Sequence, residues 1–319
     1  MAHLLETMAY LHETPWHGLG NQLGAGQPIE VWAQQAGMDW RICESPVSFV
    51  TDEANNPGVI ASYPENKVLF RSDTQVPLSV VSQRFQVVQP REILEFYRDL
   101  TEVSGFELET AGVLKGGRKI WALARTGQSS TLKGNDVSNA YVLLATACDG
   151  TLATTAQFTS IRVVCNNTLA VALGASCGAV KVRHSTLFDA QAVKRQLGIS
   201  VSTWSSFMYQ MKGLSERKVK NHEAMNYLSR VFSNDTKTDS DNASNRTMAK
   251  VMALFDGHGR GAELASAKGT AFGLLNAVTE FVDHERRARS NDHRLESAWF
   301  GQGASLKEKA LEQALVMIT

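Results

Sequence analysis

Six basic side chains in the middle of the chain lie beside turn-forming or aromatic residues. Three of them flank the dipeptide Gly116-Gly117, one follows the run that contains Phe158, and two come later; they are Lys115, Arg118, Lys119, Arg162, Lys181 and Arg183. Lysine and arginine bind phosphates without reading sequence, and neighbouring aromatic rings can stack on unpaired bases. This pattern predicts a non-enzymatic nucleic-acid-binding protein, with single-stranded DNA as the expected partner.

The charge distribution is uneven along the chain. The formal net charge is zero, yet residues 1–110 hold 15 Asp and Glu against 6 Lys and Arg. That balance of −9 leaves +9 for residues 111–319. A split of this kind is typical of a region that faces a polyanion. The alternative is that these basic side chains only coat solvated helix faces.

Other residues of chemical interest have weaker patterns. The run Gly257-His258-Gly259-Arg260-Gly261 suggests a phosphate loop, but Lys268 precedes its glycine and the preceding run is helical. The required order of glycine, lysine and hydroxyl between a strand and a helix is therefore missing. The eight histidines lack the i, i+4 spacing of a helical zinc site. The sequence thus predicts neither a cofactor nor a metal.

Two candidates for catalysis remain open. Glu280 and His284 are four residues apart on a predicted helix and could transfer protons, although an ordinary surface pair has the same spacing. Cys165 could be a nucleophile, although no neighbouring base is visible and a buried thiol fits as well. None of these three residues is predicted to be catalytic.

The N-terminal residues and the hydropathy indicate the compartment. Residues 1–7 lack the basic start of a signal peptide, and no run of about eighteen apolar residues occurs. The four cysteines are scattered and include no C-x-x-C pair, as is typical of free thiols in a reducing compartment. We therefore expect a cytoplasmic protein that does not enter a membrane.

The periodicity predicts an α+β fold, with a mostly antiparallel sheet built from hairpins and with helices packed on it. Strand-like runs flank the tip at 115–118, and a second pair flanks Asp149-Gly150. A helix is expected from Pro90, and another from about Val163 to Leu173. The sheet region is expected to span residues 1–185.

The remaining residues, 186–319, predict a helical region packed on the sheet. Ser215 is expected to be the N-cap of a helix that extends to Phe232. Residues 233–245 are polar and lack apolar periodicity, so an exposed loop is expected there. No internal repeat is visible.

Several short motifs resemble the phage/plasmid-like protein family, which is classed as domain of unknown function 932. The matching residues are Met1-Ala2-His3, Pro15-Trp16-His17-Gly18-Leu19-Gly20, Val87-Val88-Gln89, Gly116-Gly117-Arg118 with Trp121, Asp149-Gly150, Val163 to Leu169, Gly269-Thr270, Asn276 to Glu280, and Asp283-His284. The resemblance implies a mobile-element context but no activity. The expected order of elements is also similar to that of phage single-strand annealing recombinases, which implies a homo-oligomer by analogy.

Two other functions compete with DNA binding. A host-directed factor could recognise a protein through the acidic N-terminal region and the segment around Trp16. An enzyme of unrecognised type could use Glu280, His284 or Cys165.

Overall fold

A computed structural model describes most of the chain. The described residues are 5–11, 20–53, 56–162, 164, 167–170, 172–173, 176–177, 179–197, 201–233 and 241–319. The expected α+β class is confirmed, because antiparallel sheets precede a helical C-terminal region.

The strands alternate with turns through the first half of the chain. They are β1 (Leu5–Tyr10), β2 (Asn21–Gln22), β3 (Ile42–Glu53), β4 (Asn56–Arg71), β5 (Pro77–Ser82), β6 (Glu107–Leu114), β7 (Lys119–Thr131), β8 (Val137–Ala147), β9 (Thr154–Arg162), β10 (Asn167–Ala170), β11 (Ala172–Leu173), β12 (Ser176–Cys177) and β13 (Ala179–Val182). Within the described residues they form one large sheet, one of three strands and one two-stranded pair.

The large sheet has the order β10-β9-β8-β7-β6-β1-β2, and β13 also pairs with β9. Strands β6 to β9 are successive neighbours joined by short turns, which requires antiparallel pairing. Alternate turns of such a meander lie at the same end of the sheet. The β6–β7 turn and the β8–β9 turn therefore share one end, and both predicted hairpins are present.

The helices are mostly in the second half. They are α1 (Ile29–Gln35), α2 (Pro90–Ser104), α3 (Ala190–Leu197), α4 (Val201–Glu216), α5 (Asn221–Phe232), α6 (Asp241–Ala253), α7 (Ala271–Glu280), α8 (Asn291–Phe300) and α9 (Gln302–Leu315). A 3₁₀ turn covers Lys115–Gly117, and π-helical turns cover Leu254–His258 and Phe281–Glu285. In the described part of the chain no helix is both long and apolar enough to cross a membrane.

Helix α2 shows how local sequence and packing agree. Pro90 begins the helix, where a missing N–H costs nothing, and the backbone N–H of Gln89 donates to the Glu92 carboxylate at 2.7 Å. The buried Tyr97 hydroxyl lies 2.8 Å from the carbonyl oxygen of Ala122 and 3.0 Å from that of Val142. The contacts fix α2 against β7 and β8, and burial raises the Tyr97 pKa well above its ordinary value.

The chain divides into two compact units, each made of three segments. Unit 1 contains residues 1–126, 142–157 and 179–197, and unit 2 contains residues 127–141, 158–178 and 198–319. Strands β7, β8 and β9 each contribute residues to both units. The division therefore does not follow a single cut near residue 185.

Two local predictions were wrong. The segment from Val163 to Leu173 contains β10 and β11 rather than a helix, because Asn167–Ala170 pairs antiparallel with Thr159–Arg162. Ser215 lies inside α4 and donates to the Lys212 carbonyl at 2.7 Å, so it does not cap the next helix. Helix α5 instead begins after Lys220, whose N–H donates to Glu223 at 2.9 Å.

Part of the predicted loop at 233–245 is helical. Helix α6 begins at Asp241, and residues 234–240 lie outside the described residues.

Candidate nucleic-acid interface

The β6–β7 turn positions Arg118. Gly116 and Gly117 have φ of 67° and 106°, values that glycine adopts without steric cost. A Cβ on Gly117 would lie 2.9 Å from the Trp40 ring, so the turn is packed closely against that indole. The side chain of Arg118 is exposed.

The β8–β9 turn, residues 148–153, is attached to this tip. The Cys148 N–H donates to the Arg118 carbonyl at 2.9 Å, and the Ser79 hydroxyl donates to the Cys148 carbonyl at 2.6 Å. Burial, together with the Asp149 carboxylate, raises the pKa of the Cys148 thiol to about 12. The raised pKa disfavours the thiolate form of this buried side chain.

The other end of the same turn contacts His184. Its ring nitrogens lie 3.1 Å from the Leu152 carbonyl oxygen and 3.0 Å from the Gln86 carbonyl oxygen. Each ring nitrogen thus faces a carbonyl oxygen, which is a hydrogen-bond acceptor. The ring also stacks on Phe85, with centroids 4.3 Å apart and planes inclined by 14°.

Strand β13 places two more basic residues at this end of the sheet. Lys181 is opposite Thr155 and Val182 is opposite Thr154, so Arg183 follows at the end where β9 begins. Both Lys181 and Arg183 are exposed. The main-chain N–H of Gln86 donates to the His184 carbonyl at 2.5 Å, which brings the segment with exposed Arg84 to the same place.

We call Arg84, Arg118, Lys181 and Arg183 the basic edge. All four belong to unit 1, all are exposed, and none forms an ion pair with another residue in the described ranges. Arg84 was not predicted from the sequence, although it adjoins Phe85 as the predicted basic residues adjoin turns or rings. Exposed cations without internal partners can bind phosphate oxygens without first breaking a salt bridge.

The structure separates the other predicted residues from this set. Lys115 is half-buried, Lys119 is 5% exposed, and both interact within the protein. They are therefore left out of the basic edge.

Arg162 is a correction to the predicted interface. It belongs to unit 2 and is 4% exposed, with Nε 2.7 Å and Nη2 2.8 Å from the two carboxylate oxygens of Asp136. Nη2 also donates to the Gly261 carbonyl at 3.1 Å. The Ser266 hydroxyl donates to the same carboxylate of Asp136. Such an enclosed bidentate pair cannot reach a phosphate at the surface.

A second buried ion pair joins three elements of unit 2. The Lys307 ammonium on α9 lies 2.7 Å from Asp283 and 2.6 Å from the Thr168 hydroxyl on β10. The Thr168 N–H donates to the other Asp283 oxygen at 2.8 Å. The Lys307 Nζ donates in both contacts. The pair holds α9, β10 and the turn after α7 together.

Glu280 is committed to the main chain of the preceding loop. Its two oxygens lie 3.1 and 2.9 Å from the Arg260 N–H, and its pKa is raised above the ordinary glutamate value by burial. The Glu280 carboxylate thus already accepts from the Arg260 N–H, a loop amide that a bound phosphate would need. The structure therefore gives Glu280 a structural contact.

Among the described residues no group of three or more His, Cys, Asp or Glu side chains could hold a metal ion. A cavity of about 20 Å³ lies beside Arg162, Ser138, Ser160 and Thr279, which is the space of one water molecule. Trp16 and Cys165 lie outside the described residues.

The family is decided by a match over most of the chain. A model of the family described as Domain of unknown function (DUF932) matches residues 77–299, more than half of the 319 residues. The chain belongs to the DUF932 family. The DUF932 match includes the whole basic edge and the Asp136–Arg162 pair, and it excludes Lys307 and all of β3 and β4. No curated protein and no solved structure matches the chain.

Proposed function

We propose that this protein binds nucleic acid without catalysing a reaction, and that the basic edge contacts the phosphates. The observation that supports the proposal is the presence of four exposed cations at one end of one sheet, without ion-pair partners among the described residues. Two backbone-linked turns and the His184 contacts hold them in place before any ligand arrives. A main chain that is already fixed adds little to the entropy cost of binding.

Single-stranded DNA is the partner that we propose. The half-buried Phe85 lies next to Arg84 and gives an aromatic surface beside the cations, as proteins that bind single strands have. We also propose that the protein works in the cytoplasm and originates from a mobile element. The described free thiols Cys43 and Cys148 and the motif resemblance to the phage/plasmid-like family support these two points.

Fluorescence anisotropy with a labelled oligonucleotide tests the proposal across a salt series. Four phosphate contacts predict a slope of log K against log salt of about −3 for a single strand. The double variant Arg118→Glu/Arg183→Glu should weaken binding by at least about tenfold and reduce the slope by about half. A duplex of the same length should bind less tightly, because its bases are not free to stack.

The matched control carries the same change of charge on exposed residues of α4 and α5. Lys212→Glu/Arg230→Glu should bind like the wild type. Equal loss in both double variants would mean that only net charge matters, and absence of binding at micromolar protein would reject the function itself. Circular dichroism shows whether each variant is folded.

A further inference from the structure

A cleft of about 630 Å³ lies within unit 1, beside the first two helices. It is lined by α1, the loop that follows α1, the residue after β4 and the first turn of α2. Its volume is in the range of pockets that hold small molecules, about 300–1,000 Å³. The basic edge contributes no residue to it.

The buried part of the lining is apolar and fixed. Ala33 and Trp40 line the cleft and are 8% and 6% exposed. The Trp40 Nε1–H donates to the Gly37 carbonyl at 2.7 Å, and the Arg71 guanidinium lies 4.3 Å from the centre of the indole ring. These contacts hold the indole in place, so an apolar group can pack on this lining at little entropic cost to the protein.

The polar part of the lining has two acids and two arginines, and one pair of them is already joined. The Glu30 carboxylate lies 3.4 Å from the Arg91 guanidinium. Asp39 and Arg41 are exposed and form no ion pair, either with each other or with another residue of the described ranges. The Arg41 main chain is anchored, because its N–H donates to the Ser72 hydroxyl at 2.9 Å. The cleft therefore offers one unpaired carboxylate and one unpaired guanidinium.

These two charges restrict which ligand can occupy the cleft. A ligand that covers the lining displaces water from Asp39 and Arg41, and a charge that loses water without gaining a partner is unfavourable. An anion leaves Asp39 without a cation, and a cation leaves Arg41 without an anion. A polyanion also gains no net attraction, because the charges of the lining cancel. Only a ligand that carries both charges pairs both side chains.

We propose that this cleft binds a small zwitterion of the amino-acid type. Its ammonium pairs with Asp39, its carboxylate pairs with Arg41, and its apolar side chain packs on the lining formed by Ala33 and Trp40. A free α-amino acid and a short peptide both have this chemistry. Since the cleft and the basic edge share no residue, the site does not depend on the proposed nucleic-acid binding.

Isothermal titration calorimetry of the full chain with leucine and with dileucine, each up to about 10 mM, tests the proposal. The wild type should bind one of them with a dissociation constant of about 0.1–1 mM, because exposed ion pairs contribute little each. The ligand that binds more tightly distinguishes a free amino acid from a peptide as the source.

Blocked forms of the same ligand assign each charge to its partner. Asp39→Asn should weaken binding of the zwitterion by about fivefold and leave binding of its N-acetyl form unchanged, since that form has no ammonium. Arg41→Gln should have the same effect on the zwitterion and leave binding of its C-terminal amide unchanged. The wild type should bind both blocked forms about fivefold more weakly than the zwitterion.

The matched controls remove an exposed charge of the same sign outside the cleft. Glu65→Gln and Arg84→Gln should bind the zwitterion like the wild type. Absence of binding of both zwitterions overturns the proposal. So does a loss in Asp39→Asn or Arg41→Gln that the control or the blocked ligand shows equally, because charge pairing would then not be its cause. Both substituted side chains are exposed, and thermal unfolding shows that each variant is folded.

Discussion

Arg162 and Lys307 show what determines whether a basic residue is available to a ligand. Each is enclosed with a carboxylate, Asp136 or Asp283, and each carboxylate accepts further hydrogen bonds from Ser266 or from Thr168. Burying a charge is costly unless the partner and the remaining lone pairs are satisfied. Both pairs meet this condition, so their role is to fix the elements that carry them.

Arg162→Met should destabilise the protein by about 3–5 kcal/mol, because it leaves the Asp136 carboxylate buried without its cation. Urea unfolding measures the loss. The double variant Asp136→Asn/Arg162→Met should recover part of it, since no uncompensated charge remains. At a temperature where both variants are folded, their DNA affinity should equal that of the wild type. A loss of affinity in these folded variants would show that Arg162 contributes to DNA binding.

Glu280 predicts a pH dependence of stability. Its pKa is higher in the folded protein than the ordinary value of 4.5, so the folded state binds the proton more tightly than the unfolded state does. The corresponding stability is full below the unfolded pKa and is lost as the pH rises through the folded pKa.

Glu280→Gln removes this loss, so the melting temperature of the variant should rise relative to the wild type between about pH 4 and pH 8. Differential scanning fluorimetry across that range tests the sign. Glu263→Gln, on the exposed surface of the same loop, controls for the change of net charge. A Glu280→Gln variant that loses stability relative to the wild type as pH rises would contradict the assignment.

At the scale of elements, tight turns place the exposed cations. The β6–β7 turn is fixed by packing at Gly117 but not at Gly116, where an added Cβ would meet nothing within 4 Å. Both glycines have positive φ, so the two positions differ mainly in the contact with Trp40 and Leu78.

Gly117→Ala should lower the free energy of unfolding by about 2–4 kcal/mol, because the added Cβ strains the backbone and also clashes with Trp40. Gly116→Ala should cost only about 1–2 kcal/mol for the backbone alone. Chemical denaturation compares the two. Equal costs would mean that the indole moves away without penalty.

The two hairpins and α2 could be predicted because their patterns are local. Alternating apolar residues, a Gly-Gly or Asp-Gly turn and a proline at the helix start act within a few residues. The structure of the segment around Val163 to Leu173 could not be predicted in this way. Its apolar spacing fits a helix, but Asn167–Ala170 pairs with the backbone of β9. Pairing with a partner outside the segment decided its structure.

At the scale of the whole molecule, the charge split along the sequence does not match the compact units. The acidic residues 1–110 and the basic segment around Lys181 and Arg183 both belong to unit 1. Many of the acidic side chains form ion pairs within that unit, as Glu30 and Glu95 do with Arg98. The net charge of a sequence segment therefore does not show where charges without an ion-pair partner lie.

The sequence by itself determined the α+β class, the hairpins with their turn residues, and the basic character of the β6–β7 tip and of β13, because these depend on residue type and short spacing. Only the tertiary structure decided that Arg162 is enclosed with Asp136, that Arg84 and His184 join the turns at one end of the sheet, and that Asp39 and Arg41 line one cleft. Burial and ion pairing arise between residues far apart in the chain, and no local pattern encodes which distant partner a side chain meets.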